Sequence, residues 1–294
     1  MFKKHIAIDW SGANSYRRAV DIRVAIKRPD DEARIEPPLQ GRPGQSGWSR
    51  ASLVEWLTTE LRSDRATIVA LDFGFGFPWG SCDRVFHAQN WGEMIANIEI
   101  LHDFFVEGLQ CGRDIAEFIN DAFGSLGPFW TGDMEVWRLA ALLRDLHLPY
   151  YRLVEMAIPQ AKSQWYAGPG ATVTLQTLTG LSVLAKLVSQ RGTDKGLDFQ
   201  IWPHEVWRPD GRNIIAECYP ALYRNNVNGN PVPPEYNNDP HAKDAWKVLQ
   251  WMLGEEDADT LGERFQIGEK PFGRVSGVSF QDQVQVEGWI LGVG

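Results

Sequence analysis

The chain has 294 residues, 44% of them hydrophobic and 23% charged, a balance ordinary for a globular protein with a sizeable core. Its net charge of -9 argues against a sequence-independent DNA binder, because nonspecific nucleic-acid affinity comes from Lys and Arg neutralising phosphates. No apolar run reaches membrane-spanning length and Met1-Phe2-Lys3-Lys4 lacks the apolar region of a signal peptide, so a cytoplasmic protein is expected.

The first element, His5-Ile6-Ala7-Ile8-Asp9-Trp10-Ser11-Gly12, reads as a short buried strand that delivers Asp9 into a glycine-containing turn. Alternation over 20–27 predicts a second strand with one wet face, hairpinned to the first. The stretch 28–47 is rich in Pro, Gly and charge and reads as loop, with room for an edge strand at 34–39. Ser49 or Ser52 can cap the next helix, with Glu55 placed for a capping box and Leu53, Trp56, Leu57 and Leu61 as its apolar stripe. Thr67-Ile68-Val69-Ala70-Leu71-Asp72 then repeats the pattern of a strand ending in an acid.

Gly74 and Gly76 follow at once; they permit positive φ or close approach of a ligand to backbone amides, or serve a tight turn beside an aromatic core. Helical spacing runs from 91 to 123 through Met94, Ile98, Leu101, Phe105, Leu109, Ile115, Phe118 and Ile119, and again over 133–146. These helices form an insertion over 81–147 that enlarges the core or covers the site. The stretch 150–158 can form a strand carrying Arg152 and Glu155, and a helix follows through Leu175, Leu178, Leu181, Leu184 and Leu187. Phe199 to Pro203 is a short strand, and Asn213-Ile214-Ile215-Ala216-Glu217 is a third strand ending in an acid. The last well-marked helix opens at Asp239-Pro240, with Asp239 as N-cap. Asp244 lies beside Val248 and Trp251 at the edge of that helix's apolar stripe, where an unpaired charge would be costly. No repeat or long linker divides the chain, so 1–294 is expected to be one domain. Cys82, Cys111 and Cys218 are odd in number without metal-type spacing, which predicts free thiols.

Three strand-end acids and a helix-borne one argue for a shared site. Gathered carboxylates repel, and a divalent cation relieves that repulsion. Mg²⁺ or Mn²⁺ on Asp9, Asp72, Glu217 and Asp244 would suit in-line displacement at phosphorus, where two such ions can sit roughly 4 Å apart. Ser11, Arg152 and Lys162 are candidates for holding phosphate, with Gly74 and Gly76 offering amides. His204 and His241 are expected at the surface or in loops rather than as bases.

The series Ile8-Asp9-Trp10-Ser11-Gly12-Ala13, Leu71-Asp72 with Gly76-Phe77-Pro78, Glu217-Cys218-Tyr219-Pro220-Ala221 and Lys243-Asp244-Ala245 resembles an uncharacterised bacterial family of the ribonuclease-H-like superfamily, domain of unknown function 429. Residues 152–155, 161–163 and 177–180 are similar to its middle section. The resemblance implies an α/β ribonuclease-H-like mixed sheet flanked by helices, and a metal site on Asp9, Asp72, Glu217 and Asp244. The implied activity is that of a metal-dependent, nuclease-like phosphodiester hydrolase acting on nucleic acid. Two alternatives stand beside it. Asp72-Phe73-Gly74-Phe75-Gly76 also resembles a phosphate-binding turn of actin and sugar-kinase phosphotransferases, although Asp9 and Asp72 are too close in sequence for two duplicated domains. The other alternative is a non-catalytic module that binds a ligand or a protein on the same fold.

Overall fold

The computed structural model describes residues 2–13, 16–18, 20–39, 47–63, 66–105, 111–124, 127–131, 136–168, 173–192, 196–223, 231–270 and 272–294. In chain order the elements are β1 (Lys4–Asp9), β2 (Arg23–Lys27), β3 (Arg34–Glu36), α1 (Arg50–Ser63), β4 (Thr67–Leu71), α2 (Ser81–Arg84), α3 (Trp91–Phe105), α4 (Cys111–Ala122), α5 (Val136–Asp145), α6 (Leu153–Met156), α7 (Val173–Val188), β5 (Phe199–Trp202), β6 (Asn213–Glu217), α8 (Pro240–Asp257) and α9 (Phe280–Glu287). The six strands form one mixed sheet in the order β3-β2-β1-β4-β6-β5. Strand β2 runs antiparallel to both of its neighbours, β1 and β3, and β1, β4, β6 and β5 run parallel. The protein is thus α/β, as expected.

Two apolar layers cover the sheet, and side-chain size decides what each can hold. Ile6, Ile8, Val69, Leu71 and Ile215 face a layer built with Leu53 and Leu57 of α1, Ile98 of α3 and Leu178 and Leu181 of α7. On the other face the register aligns Ala25, Ala7, Ala70 and Ala216 in one row across β2, β1, β4 and β6. These four belong to the layer that holds Ala245, Leu249 and Met252 of α8. A row of methyl groups lets a helix lie close to the sheet, and α8 packs on β1 and β2 in that way.

Several local expectations are corrected. The segment 150–158 is no strand: Arg152 begins a turn of helix in which the Glu155 carboxylate accepts from the Arg152 N–H at 3.0 Å, as in a capping box at the start of α6. Strand β2 starts at Arg23 and has no wet face, since Val24, Ala25 and Ile26 are buried between the two layers. Ser49, not Ser52, caps α1, accepting from the Ser52 N–H at 3.1 Å. Asp239 caps α8 as expected, accepting from the Ala242 N–H, with Pro240 at the first helical position. The region 91–123 holds two helices, α3 and α4, which pack on α7 and enlarge the core. Leu109 and the expected helix start at 133 lie outside the described residues. Cys82 and Cys218 are buried free thiols.

Candidate functional site

Parallel pairing of β1 and β4 sets Ile8 opposite Leu71, and the Asp72 N–H donates to the Ile8 carbonyl at 3.0 Å. Asp9 and Asp72 therefore sit side by side at the carboxyl ends of the two central strands, where open α/β sheets place their ligands. Each follows its row alanine by two residues, so both take the side of the sheet that α8 covers. The close seat of α8 supplies the rest. His241 Nδ1 lies 2.7 Å from Asp9 Oδ2, and Asp244, three residues further along the same helix face, adds a third carboxylate.

The electrostatics of the three acids differ. Burial raises Asp9 to about 6, with Asp244 adding to the rise and the His241 hydrogen bond and Arg23 opposing it. His241 is itself raised, chiefly by its hydrogen bond to the Asp9 carboxylate. Asp244 accepts from Lys247 Nζ at 2.7 Å. Asp72 has no such help. Burial first, then the charges of Asp9, Asp244 and Glu217, push it well above the usual carboxylate range, and none of its influences opposes the rise. No hydrogen-bond or ion-pair partner reaches its carboxylate among the described residues.

Glu217 is brought near but differently employed. Alternation along β6 puts it on the side of Ile215, away from the alanine row. Arg152 grips both of its oxygens, Nη2 to Oε1 at 2.7 Å and Nη1 to Oε2 at 2.8 Å, and the Phe75 N–H donates to Oε2. Arg152 also donates to Glu155 and to the Glu287 carbonyl, at 2.9 and 3.1 Å, and is 1% exposed. The arginine expected to hold phosphate is thus engaged within the protein.

The remaining site residues are placed as follows. Ser11 Oγ accepts from the Ala13 N–H, a local turn bond. Gly74 and Gly76 do not adopt positive φ. A Cβ on Gly74 would stand 2.6 Å from the Gln164 amide, and one on Gly76 would stand 2.7 Å from the carbonyls of Val286 and Glu287, so packing is what demands glycine there. Lys162 is exposed at the rim of a cleft of about 90 Å³ lined also by Asp72, Gly74, Arg152, Gln164, Gln176, Glu217 and Tyr219. None of the helices α2 to α5 lines this cleft.

His241, expected at the surface or in a loop, lies in the first turn of α8 and is half-exposed, but its ring reaches Asp9, a contact its i,i+3 spacing to Asp244 could have suggested. His204 lies in the turn after β5 and is half-buried: its Nδ1 lies 2.6 Å from the Gln285 carbonyl oxygen, its ring stacks 4.0 Å from Trp91, and burial lowers it to about 3. Among the described residues no three His, Cys, Asp or Glu side chains converge tightly enough to hold a metal ion in the present arrangement. No helix among them is long and apolar enough to cross a membrane. No family model, curated protein or solved structure matches the chain.

Proposed function

We propose that the chain is a divalent-metal-dependent phosphodiester hydrolase of the ribonuclease-H-like type acting on nucleic acid. The observation that carries this reading is Asp72, a carboxylate flanked by Asp9, Asp244 and Glu217 and reached by no cation among the described residues. Such a group needs either a proton or a metal ion. A hard cation that retains most of its waters asks for only one or two carboxylates, so Asp9 and Asp72 fit Mg²⁺ or Mn²⁺, with Asp244 as a further acid. Sheet order supports the reading too: an antiparallel β1-β2-β3 meander followed by parallel strands, with acids at the ends of β1 and β4 and on helix α8, is what the resemblance to domain of unknown function 429 leads one to expect.

Hydrolysis joins a water oxygen to phosphorus and breaks one ester P–O bond, and a proton from that water ends on the departing oxygen. A bound metal would supply charge neutralisation at the phosphoryl oxygens and an activated water. The chain's own contribution is placement. His241 Nδ1, 2.7 Å from Asp9 Oδ2, orients the Asp9 carboxylate. Arg152 fixes Glu217, whose Oε2 in turn holds the Phe75 amide and with it the loop after Asp72. In this reading Glu217 supports the loop and is not itself a ligand.

The test is calorimetric titration of Mg²⁺ and Mn²⁺ into the wild type and an Asp72→Ala variant, with cleavage of DNA and RNA substrates measured against Asp9→Asn. Saturable binding lost in the variant and metal-dependent turnover are expected. Absence of both in the wild type sinks the proposal.

A further inference from the structure

The inserted helices α3 and α4 present a surface that neither the core nor the Asp72 cleft uses. Among the described residues eight large apolar side chains are exposed, and three of them, Ile100 at 67%, Phe104 at 77% and Phe118 at 53%, stand on this one helix pair. Ile100 and Phe104 are four residues apart and so share a face of α3. The half-buried Phe105 bridges to α4, its ring 4.9 Å from that of Phe104 and 5.8 Å from that of Phe118. Between the helices runs an apolar groove lined by Phe86, Ile100, Leu101, Phe118, Ile119 and Phe123, and among the described residues no Asp, Glu, Lys or Arg lines it.

Charge decides what can fill the groove. Together α3 and α4 carry six acids, Glu93, Glu99, Asp103, Asp114, Glu117 and Asp121, against one arginine, Arg113. Arg113 stands 3.9 Å from Glu117, and Lys186 of α7 reaches Asp103 at 2.6 Å and Glu99 at 3.6 Å, which still leaves a negative excess. Asp103 directly precedes Phe104, Glu117 directly precedes Phe118, and both acids are exposed beside the apolar side chains, as is Asp121. A second copy of the chain would set these acids against themselves, and a nucleic acid or an anionic membrane would meet the same repulsion. An apolar stripe flanked by cations meets none of it, and the trough between two packed helices is the shape that a third helix fills.

We propose that this groove docks an amphipathic helix of a partner protein, its apolar stripe laid along Ile100 and Phe118 and its flanking Lys or Arg side chains facing Asp103, Glu117 and Asp121. No residue of α3 or α4 lines the Asp72 cleft, so the docking surface stands whether or not the chain is a hydrolase.

The probe is a fluorescein-labelled peptide of Leu and Lys only, with Leu at i, i+3, i+4 and i+7, whose anisotropy is followed as the full chain is added. Its comparators are the same residues in scrambled order and a version with Glu in place of Lys. Saturable binding of the ordered Leu/Lys peptide is expected, about tenfold tighter than either comparator. Ile100→Ser and Phe118→Ser should each weaken it about tenfold, the effect of one lost buried apolar contact. Leu39→Ser, at an exposed position in the loop after β3, should leave it unchanged. Because all three positions are exposed, thermal melts of the variants should coincide with that of the wild type. Salt at about 0.5 M should weaken the binding without abolishing it, since screening removes the charge attraction and spares the apolar contact. Equal affinity for the ordered and scrambled peptides, or an Ile100→Ser, Phe118→Ser double variant that binds like the wild type, overturns the proposal. So does a concentration-dependent dimer in sedimentation that the same double variant disperses, because a second copy would then be the occupant.

Discussion

Arg152 and Glu217, 65 residues apart in sequence, meet in a bidentate pair at 2.7 and 2.8 Å with both side chains sealed from solvent. The pair joins α6 to the end of β6, and through Glu155, Gln164 and Glu287 it ties those elements to the loop after Asp72 and to α9. It therefore holds the floor of the cleft rather than a ligand.

Replacing Arg152 by Met should leave Glu155 and Glu217 buried without their counter-charge. Removing one partner of a buried pair is strongly destabilising, about 3–5 kcal/mol, so the urea midpoint should fall sharply with the slope unchanged. A shift below about 1 kcal/mol would mean that water replaces the guanidinium, and the pair would lose its structural role.

Asp72→Asn should raise stability at pH 8 in chelator. The folded-state pKa of Asp72 lies above its ordinary value of 3.8, so its neutral form is favoured on folding and the penalty grows as pH rises through the raised pKa. The variant's advantage should therefore shrink toward pH 4, and added Mg²⁺ should stabilise the wild type alone. Thermal melts across that pH range, with and without Mg²⁺, decide it. A wild type at least as stable as the variant at pH 8 without metal would show that Asp72 has a partner after all.

His204 runs the opposite way. Its folded pKa of about 3 lies below the ordinary 6.5, so the stability it contributes is complete above pH 6.5 and is lost as pH falls toward 3. At pH 5 the loss is about 2 kcal/mol, from 1.4 kcal/mol per pH unit. His204→Gln should start lower at pH 8 through lost stacking on Trp91 and then show a flatter acid limb. Parallel limbs for both proteins would count against a neutral, half-buried imidazole.

Ala70→Leu tests the alanine row. Extra methylenes under α8 should cost about 1–3 kcal/mol and lift the helix from the sheet. Because His241 and Asp244 ride on that helix, Mn²⁺ affinity should drop as well. Ile68→Leu, in the same layer two residues earlier, keeps the volume and should leave metal affinity unchanged.

Much of the sheet was legible because its strands are continuous apolar runs: Ile6 to Ile8, Ile68 to Leu71 and Ile214 to Ala216 bury both faces, and no other local structure suits runs so short. Asp239-Pro240 likewise announced a helix start through local capping chemistry alone. The segment around Arg152 was misread because a single turn of helix has no period to detect, and its capping box depends on a carboxylate folding back on its own backbone.

By itself, then, the amino-acid order determined which carboxylates stand at strand and helix ends, since hydrophobic period and turn residues act over a few neighbours. Only the tertiary structure decided which of them meet. Strand register set Asp9 beside Asp72, four aligned methyl groups drew α8 in with His241 and Asp244, and the two-residue alternation of β6 turned Glu217 toward Arg152. Those outcomes depend on pairing between segments far apart in the chain, where a shift of one residue reverses every side chain, and no local pattern carries that information.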